Sequence, residues 1–298
     1  MAGVLASTGS AVVGARNYLT GQAVQARTVI PKAWDMPPKA DGIYPPDGGP
    51  VRRWERRAPV DFDLMVFGDS TATGYGCRDA EEAPGALLAR GLAEQFGAQV
   101  RLSTKAIVGA TSRGLASQVD AMLVTGPIPN AAVIMIGAND VTALNGIGPS
   151  ARRLGAAVRR LRSAGAAVIV GTCPDFGVIT AIPQPLRWTA RSLGLRLARA
   201  QAAEVRAAGG VPVPLADLLA PHFQTEPHLL FSEDRYHPSA AGYALAAHQL
   251  LPALCHALGE ESTELPWAAW RKRRLPVVGS LLGRRSTGVP APIVRPAS

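Results

Sequence analysis

Five apolar runs of strand length recur along this chain: Leu64 to Phe67, Val100 to Ile107, Ala131 to Ile136, Ala166 to Val170 and Val211 to Leu215. Stretches with helical periodicity separate them. Near-continuous apolar runs belong to strands covered on both faces, and their alternation with helices makes those strands parallel. Five βα units of this kind predict an α/β fold, a three-layer α/β/α sandwich on a five-stranded parallel sheet with right-handed crossovers. That class already places a site, because open α/β sheets bind ligands beyond the carboxyl ends of their strands.

The helical stretches carry their own signals. Leu154, Ala157, Val158, Leu161 and Ala164 recur at helical spacing between Pro149, Ser150 and Gly165. The arginines among them (Arg152, Arg153, Arg159, Arg160, Arg162) read as a solvated face. Leu186, Ala190, Leu193, Leu197 and Ala200 form a second stripe that ends at Gly209 and Gly210. Pro238 suits the first turn of a last helix, which contains Pro252 and ends at Gly259.

Composition sets the ends apart from this body. Of 298 residues, 47% are hydrophobic, enough for one sizeable core, yet the chain carries a net charge of +9. Residues 1–58 hold eight Lys/Arg against four Asp/Glu, and residues 265–298 hold seven against none. Against totals of 31 and 22, this leaves residues 59–264 with 16 basic and 18 acidic side chains. A slightly acidic body gives no reason to expect nucleic acid as a partner. We therefore expect an N-terminal helix and extended arm over 1–58, Pro- and Gly-rich from Pro31 to Pro59 and not packed as a unit. A packed domain over 59–264 and a basic, disordered tail over 265–298 follow. The tail's two tryptophans beside Arg271 to Arg274 are compatible with peripheral contact with an anionic membrane, although a solvated tail is the simpler reading. Cys77, Cys173 and Cys255 form no CxxC pair and read as free thiols. The first charge is Arg16, so the start lacks the basic region of a signal peptide, and a cytoplasmic location is expected.

Three segments, joined by Gly109 as a fourth, fall at the rim that the sheet defines. Gly68, Asp69 and Ser70 follow the first strand, with Gly74 closing a tight turn where helix N–H groups face whatever the hydroxyl faces. Taken alone, that turn is equally a strand-to-helix connection capped by Asp69. Gly137, Ala138, Asn139 and Asp140 follow the third strand. A side-chain amide there can donate to a developing oxyanion, while the blander role is a turn. Gly109 follows the second strand, where a missing side chain lets an N–H approach the same oxygen. Asp234 and His237 lie three residues apart before the last helix, a spacing that can set a carboxylate beside Nδ1 and leave Nε2 as a base. Asp234 as a mere helix cap is the alternative. His222 and His228 fall in a loop without pattern, and His248 and His256 fall inside the last helix.

These blocks, in this order, resemble the SGNH (GDSL-like) hydrolases: Gly68, Asp69, Ser70 with Gly74 the first, Gly109 the second, Gly137 to Asp140 the third, and Asp234, Arg235, Tyr236, His237 the last. Thr71 departs from the family's usual leucine. The resemblance implies a flavodoxin-like fold and a serine esterase or lipase without a cofactor. Ser70 would be the nucleophile, His237 the base and Asp234 its partner, with the N–H groups of Ser70 and Gly109 and the Asn139 amide forming an oxyanion hole. The substrate would be a small-molecule, lipid or carbohydrate ester. Two other readings stand beside it: a flavodoxin-like phosphate or flavin binder using Ser70 to Gly74, and a non-catalytic scaffold tethered by its basic tail. The segments Asp175 to Pro185 and Ala220 to Phe231 are expected to be loops that shape the pocket, with Pro183, Gln184 and Pro185 a stiff border.

Overall fold

Consecutive strand residues point to opposite sides of the sheet, and here both sides are buried. In the computed structural model, which describes residues 18, 21, 22, 36–55 and 58–259 (the side chains of 123–125 excepted), five parallel strands form in chain order. They are β2 (Phe62–Gly68), β3 (Val100–Thr104), β4 (Ala131–Met135), β5 (Ala167–Gly171) and β6 (Val211–Val213), preceded by a short β1 (Gly42–Tyr44). Leu64, Val66, Val133 and Ile169 pack into one core with helices α2 (Pro84–Phe96) and α9 (Ala240–Ala257). Their neighbours Met65, Phe67, Ile134 and Val168 pack into a second core with α3 (Leu115–Thr125), α5 (Ile147–Ser163) and α6 (Leu186–Ala207). Two cores on two faces of one sheet are the three layers expected from the apolar runs.

Strand order across the sheet is β1-β3-β2-β4-β5-β6. The parallel part has the flavodoxin-like order, in which the chain winds one way from β2 to β3 and the other way from β4 onward. The switch point therefore lies at the carboxyl end of β2, and Ser70 is two residues beyond that end. On α5, Leu154, Ala157, Val158 and Leu161 are buried, while Arg152, Arg159, Arg160 and Arg162 are exposed. The arginine run is a solvated face.

The structure corrects several expectations. The sheet has six strands, not five, because part of the arm is packed. β1 pairs antiparallel with β3, Gly42 opposite Leu102 and Tyr44 opposite Val100. Ile43 and Tyr44 are buried, the Tyr44 hydroxyl donates to the Ala40 carbonyl at 2.7 Å, and the Trp54 ring lies 3.6 Å from the Arg101 guanidinium. The physical reason is the edge: β3 would otherwise expose a row of unpaired backbone groups. Composition hid this, since a three-residue strand flanked by Pro and Gly carries no periodicity. Ala220 to Phe231 is not a loop but the end of α7 (Leu215–Thr225) and α8 (Pro227–Leu230), so His222 and His228 are helical residues. Pro238 lies outside the first turn of α9, whose cap is Ser239, with its hydroxyl accepting from the Gly242 N–H at 3.2 Å. The tail after 264 lies outside the described residues, as does most of the chain before 36.

The packing of β1 yields a stability prediction. Tyr44→Ala should cost about 3 kcal/mol or more in urea unfolding, as truncation of large buried aromatics does. A loss below about 1 kcal/mol, the scale of surface changes, would show that the arm is dispensable to the fold.

Candidate active site

The carboxyl end of β2 meets that of β4 so closely that a Cβ at Gly68 would lie 1.9 Å from the Met135 carbonyl oxygen, and its φ of 136° also excludes other residues. The chain then turns into α1 (Ser70–Thr73), capped by Asp69, whose carboxylate accepts from the Thr71 N–H at 3.0 Å. Asp69 thus is a cap, and more than a cap. It is 1% exposed and its carboxyl also takes a hydrogen bond from the Gly137 N–H, tying the serine turn to the segment after β4.

Ser70 lines a cavity of about 210 Å³, and the last block of the chain brings His237 against it. His237 Nε2 is 3.0 Å from Ser70 Oγ, and His237 Nδ1 is 2.6 Å from Asp234 Oδ2. Both Ser70 and His237 are 8% exposed. The local fold explains this geometry. Phe231 bridges Pro238, the Ser232 N–H donates to the His237 carbonyl at 2.8 Å, and Arg235 adopts a left-handed φ of 55°, so residues 232–237 form a tight loop. Inside it, Asp234 Oδ1 accepts from the N–H groups of Tyr236 and His237, each at 2.8 Å, and from Ser232 Oγ at 2.7 Å. Asp234 is therefore not the cap of α9. It organises its own loop with one oxygen and holds the imidazole with the other. The rings of Tyr75 and Tyr236 flank the imidazole at 4.5 and 5.0 Å.

Electrostatics separate the two aspartates. Burial pushes the Asp234 carboxyl up, but the hydrogen bonds from His237, Tyr236 and Ser232 and the His237 charge outweigh it and hold the group at about 2. An ionised carboxylate only accepts, so Nδ1 must carry a proton, and in the neutral imidazole Nε2 faces Ser70 Oγ as an acceptor. Asp69 is the reverse case. Burial dominates and raises it to about 6, against the opposing hydrogen bonds from Thr71, the charge of His237 and the Gly137 N–H.

Gly109 and Asn139 line the same cavity as Ser70. A Cβ at Gly109 would meet no atom within 4 Å, so close approach to protein does not call for glycine there; a φ of 80° does. Asn139 lies on α4 (Ala138–Thr142), and its amide donates to the Ala110 carbonyl at 3.0 Å. Most of the remaining wall is apolar, with Phe176, Val178, Ile179, Leu215, Phe223 and Phe231 among its residues and Thr71, Thr172 and Asp175 set between them, while Pro183, Gln184 and Pro185 do not line it. Cys173 is buried and its thiol is pushed up by burial, which suits a packed strand-end residue and not a nucleophile. In the turn that a flavin phosphate would need, the Thr73 hydroxyl is spent internally on the Ser70 carbonyl at 2.8 Å. Among the described residues no His, Cys, Asp or Glu side chains cluster so as to hold a metal ion.

Two glutamines escaped the sequence reading. Gln118 on α3 both donates to the Gly68 carbonyl and accepts from the Gly68 N–H, each at 2.8 Å. Gln201 on α6 accepts from the Cys173 N–H at 2.8 Å and donates to the Ile136 carbonyl at 2.9 Å. Gln201 pairs backbone groups just past two strand ends, and Gln118 satisfies the Gly68 N–H and adds a second donor to the Gly68 carbonyl, which also accepts from the Ile107 N–H at 3.1 Å. A buried glutamine on an otherwise apolar helix face is the signal that could have found them.

The aspartates also predict opposite pH dependences of stability. With a folded value of about 2 against 3.8, Asp234 adds stability above roughly pH 4 that is lost as pH falls toward 2. Asp69, raised to about 6, binds its proton more tightly in the folded chain, so its contribution declines as pH rises from about 4 to 6. Urea unfolding of Asp69→Asn across that window should lack the decline; the same slope in variant and wild type would refute the assignment.

Comparison with known proteins gives the chain a family. Residues 66–245 match the GDSL-like lipase/acylhydrolase family. The chain is 70% identical over 260 residues to the GDSL-like esterase Rv1075c of Mycobacterium tuberculosis, spanning 87% of this chain and 83% of that protein. The fold is similar to that of LAE5, an alpha/beta hydrolase from the metagenome of Lake Arreo (TM-score 0.53, 22% identity, 68% of this chain and 99% of that one). It is also similar to the esterase EstA from Pseudoalteromonas (TM-score 0.51, 20% identity, 67% and 100%). The chain belongs to the GDSL-like lipase/acylhydrolase family and is a carboxylic ester hydrolase.

Proposed function

We propose that the protein is a serine esterase working through Ser70, His237 and Asp234 by way of an acyl-enzyme. The observation that carries this reading is the unbroken hydrogen-bonded chain from Ser70 Oγ through both imidazole nitrogens to a carboxylate held ionised. As Ser70 Oγ attacks the ester carbonyl carbon, its proton passes to Nε2, and Asp234 Oδ2 stabilises the imidazolium through Nδ1–H. The carbonyl oxygen becomes an oxyanion facing the N–H groups of Ser70 and Gly109 and the Asn139 amide, which has a second N–H beyond the one given to Ala110. Collapse expels the alcohol, protonated by His237, and leaves the acyl group on Ser70. Water then gives its proton to Nε2 as it attacks the acyl carbon, and collapse of that intermediate breaks the bond to Ser70 Oγ, which takes the proton back from Nε2 as the acid leaves. No step calls for a cofactor. The apolar wall from Phe176 to Phe231 favours an ester with an apolar part.

Kinetics on a short-acyl p-nitrophenyl ester test this. Ser70→Ala and His237→Ala should abolish turnover, and Asp234→Asn should lower kcat by roughly three to four orders of magnitude, since an amide favours the wrong tautomer. Undiminished hydrolysis in either of the first two variants would sink the assignment.

A further inference from the structure

Asp140 is buried, 3% exposed, and takes no part in the proton path from Ser70 to Asp234. Its carboxylate nevertheless accepts four hydrogen bonds. Oδ2 accepts from the Ser112 N–H at 2.7 Å, and Oδ1 accepts from Ser112 Oγ at 2.7 Å, Ser150 Oγ at 2.8 Å and the Asn145 amide at 3.1 Å. Arg153 also reaches Ser112 Oγ, at 3.4 Å. One side chain thereby joins three segments: the loop after β3, the loop after α4, and the start of α5.

Ser112 lies three residues beyond Gly109, and Asn139 immediately precedes Asp140. The Asn139 amide holds Ala110 in the same loop. Two neighbouring side chains of α4 thus grip the loop at two points, Ala110 and Ser112. Gly109 itself is exposed, with no atom packed where a Cβ would be. Apolar packing does not fix the direction of its N–H; the Ala110 N–H closes the turn onto the Ile107 carbonyl at 3.0 Å and the Ile107 N–H ties it to the Gly68 carbonyl at 3.1 Å, and the grip from α4 holds the far side of that turn against Asn139.

We propose that Asp140 is a positioning residue that fixes the Gly109 N–H relative to the Asn139 amide, so that both meet one developing oxyanion. The inference rests on reading Gly109 and Asn139 as oxyanion donors. Donors aligned beforehand need no reorganisation as charge develops, which is where their effect on rate comes from. A carboxylate suits the task because four donors converge on it. An asparagine of the same shape would present one acceptor and turn an NH2 group toward a donor.

The test is Asp140→Asn, assayed with p-nitrophenyl butyrate beside Asn139→Ala and the double variant. Misaligned donors should lower kcat by roughly tenfold to hundredfold while KM stays within about twofold. Because Asp140 acts through the donors, its loss should cost clearly less when Asn139 is already alanine. A kcat within about twofold of wild type, or losses that multiply fully in the double variant, would overturn the proposal. If Asp140→Asn does not fold, Ser112→Ala carries the test, with kcat expected to fall by roughly threefold to tenfold at unchanged KM, and an unchanged kcat overturning it. Wild-type kcat in Asn139→Ala would instead refute the oxyanion reading itself.

Discussion

A parallel sheet ends in backbone N–H and C=O groups that no neighbouring strand can pair, and in this protein those groups lie under the site. Buried backbone polar groups must find partners. Gln118 takes both groups of Gly68, Gln201 takes Cys173 and Ile136, and the Asp69 N–H donates to the Met135 carbonyl at 3.1 Å. The ends of β2, β4 and β5 are thereby fixed by buried side chains. Ser70, Asn139 and the cavity wall are built on strand ends that have little freedom to move.

Four carboxylates near this rim do different work because their surroundings differ. Asp234 receives enough hydrogen bonds to stay ionised and orients an imidazole. Asp69 is buried deeply enough that desolvation wins, and it caps α1 while tethering Gly137. Asp140 accepts four donors and anchors the loop that carries Gly109. Asp175 pairs with Arg191 at 3.1 Å and accepts from the Gly177 N–H, which shapes one wall of the cavity. The same functional group serves as orienter, cap, tether or wall according to which donors reach it.

Much of the fold was legible because its signals are local. Strand runs such as Ala131 to Ile136 are continuous and apolar, and the α5 stripe alternates with arginines, so element type and order could be read directly. The blocks at Ser70, Gly109 and Asn139 were legible because each follows a strand, whereas Asp234 and His237 follow α8 and offered only their spacing before the last helix. The strand β1 was not, since three residues among prolines show no period and its pairing with β3 spans nearly sixty residues. The region from Ala220 to Phe231 misled because Pro221 and Pro227 resemble loop punctuation, whereas Pro227 is a tolerated first-turn proline and α7 is held by packing. Gln118 and Gln201 show in the sequence only as polar residues within helical stretches, and their backbone partners appear only when a helix face is laid on a strand end.

The α/β class, the rim where the candidate site lies and the residue types available there were already written in short segments, because hydrophobic periodicity and strand-end spacing are local properties. Tertiary structure alone decided that Ser70 Oγ meets Nε2 across 167 residues of chain. It also decided that Asp234 orients His237 while Ser239 caps the helix, and that Asp140 reaches Ser112. Those are contacts between side chains set by how helices settle on the sheet, and no local pattern encodes a distance between segments that meet only when the core closes.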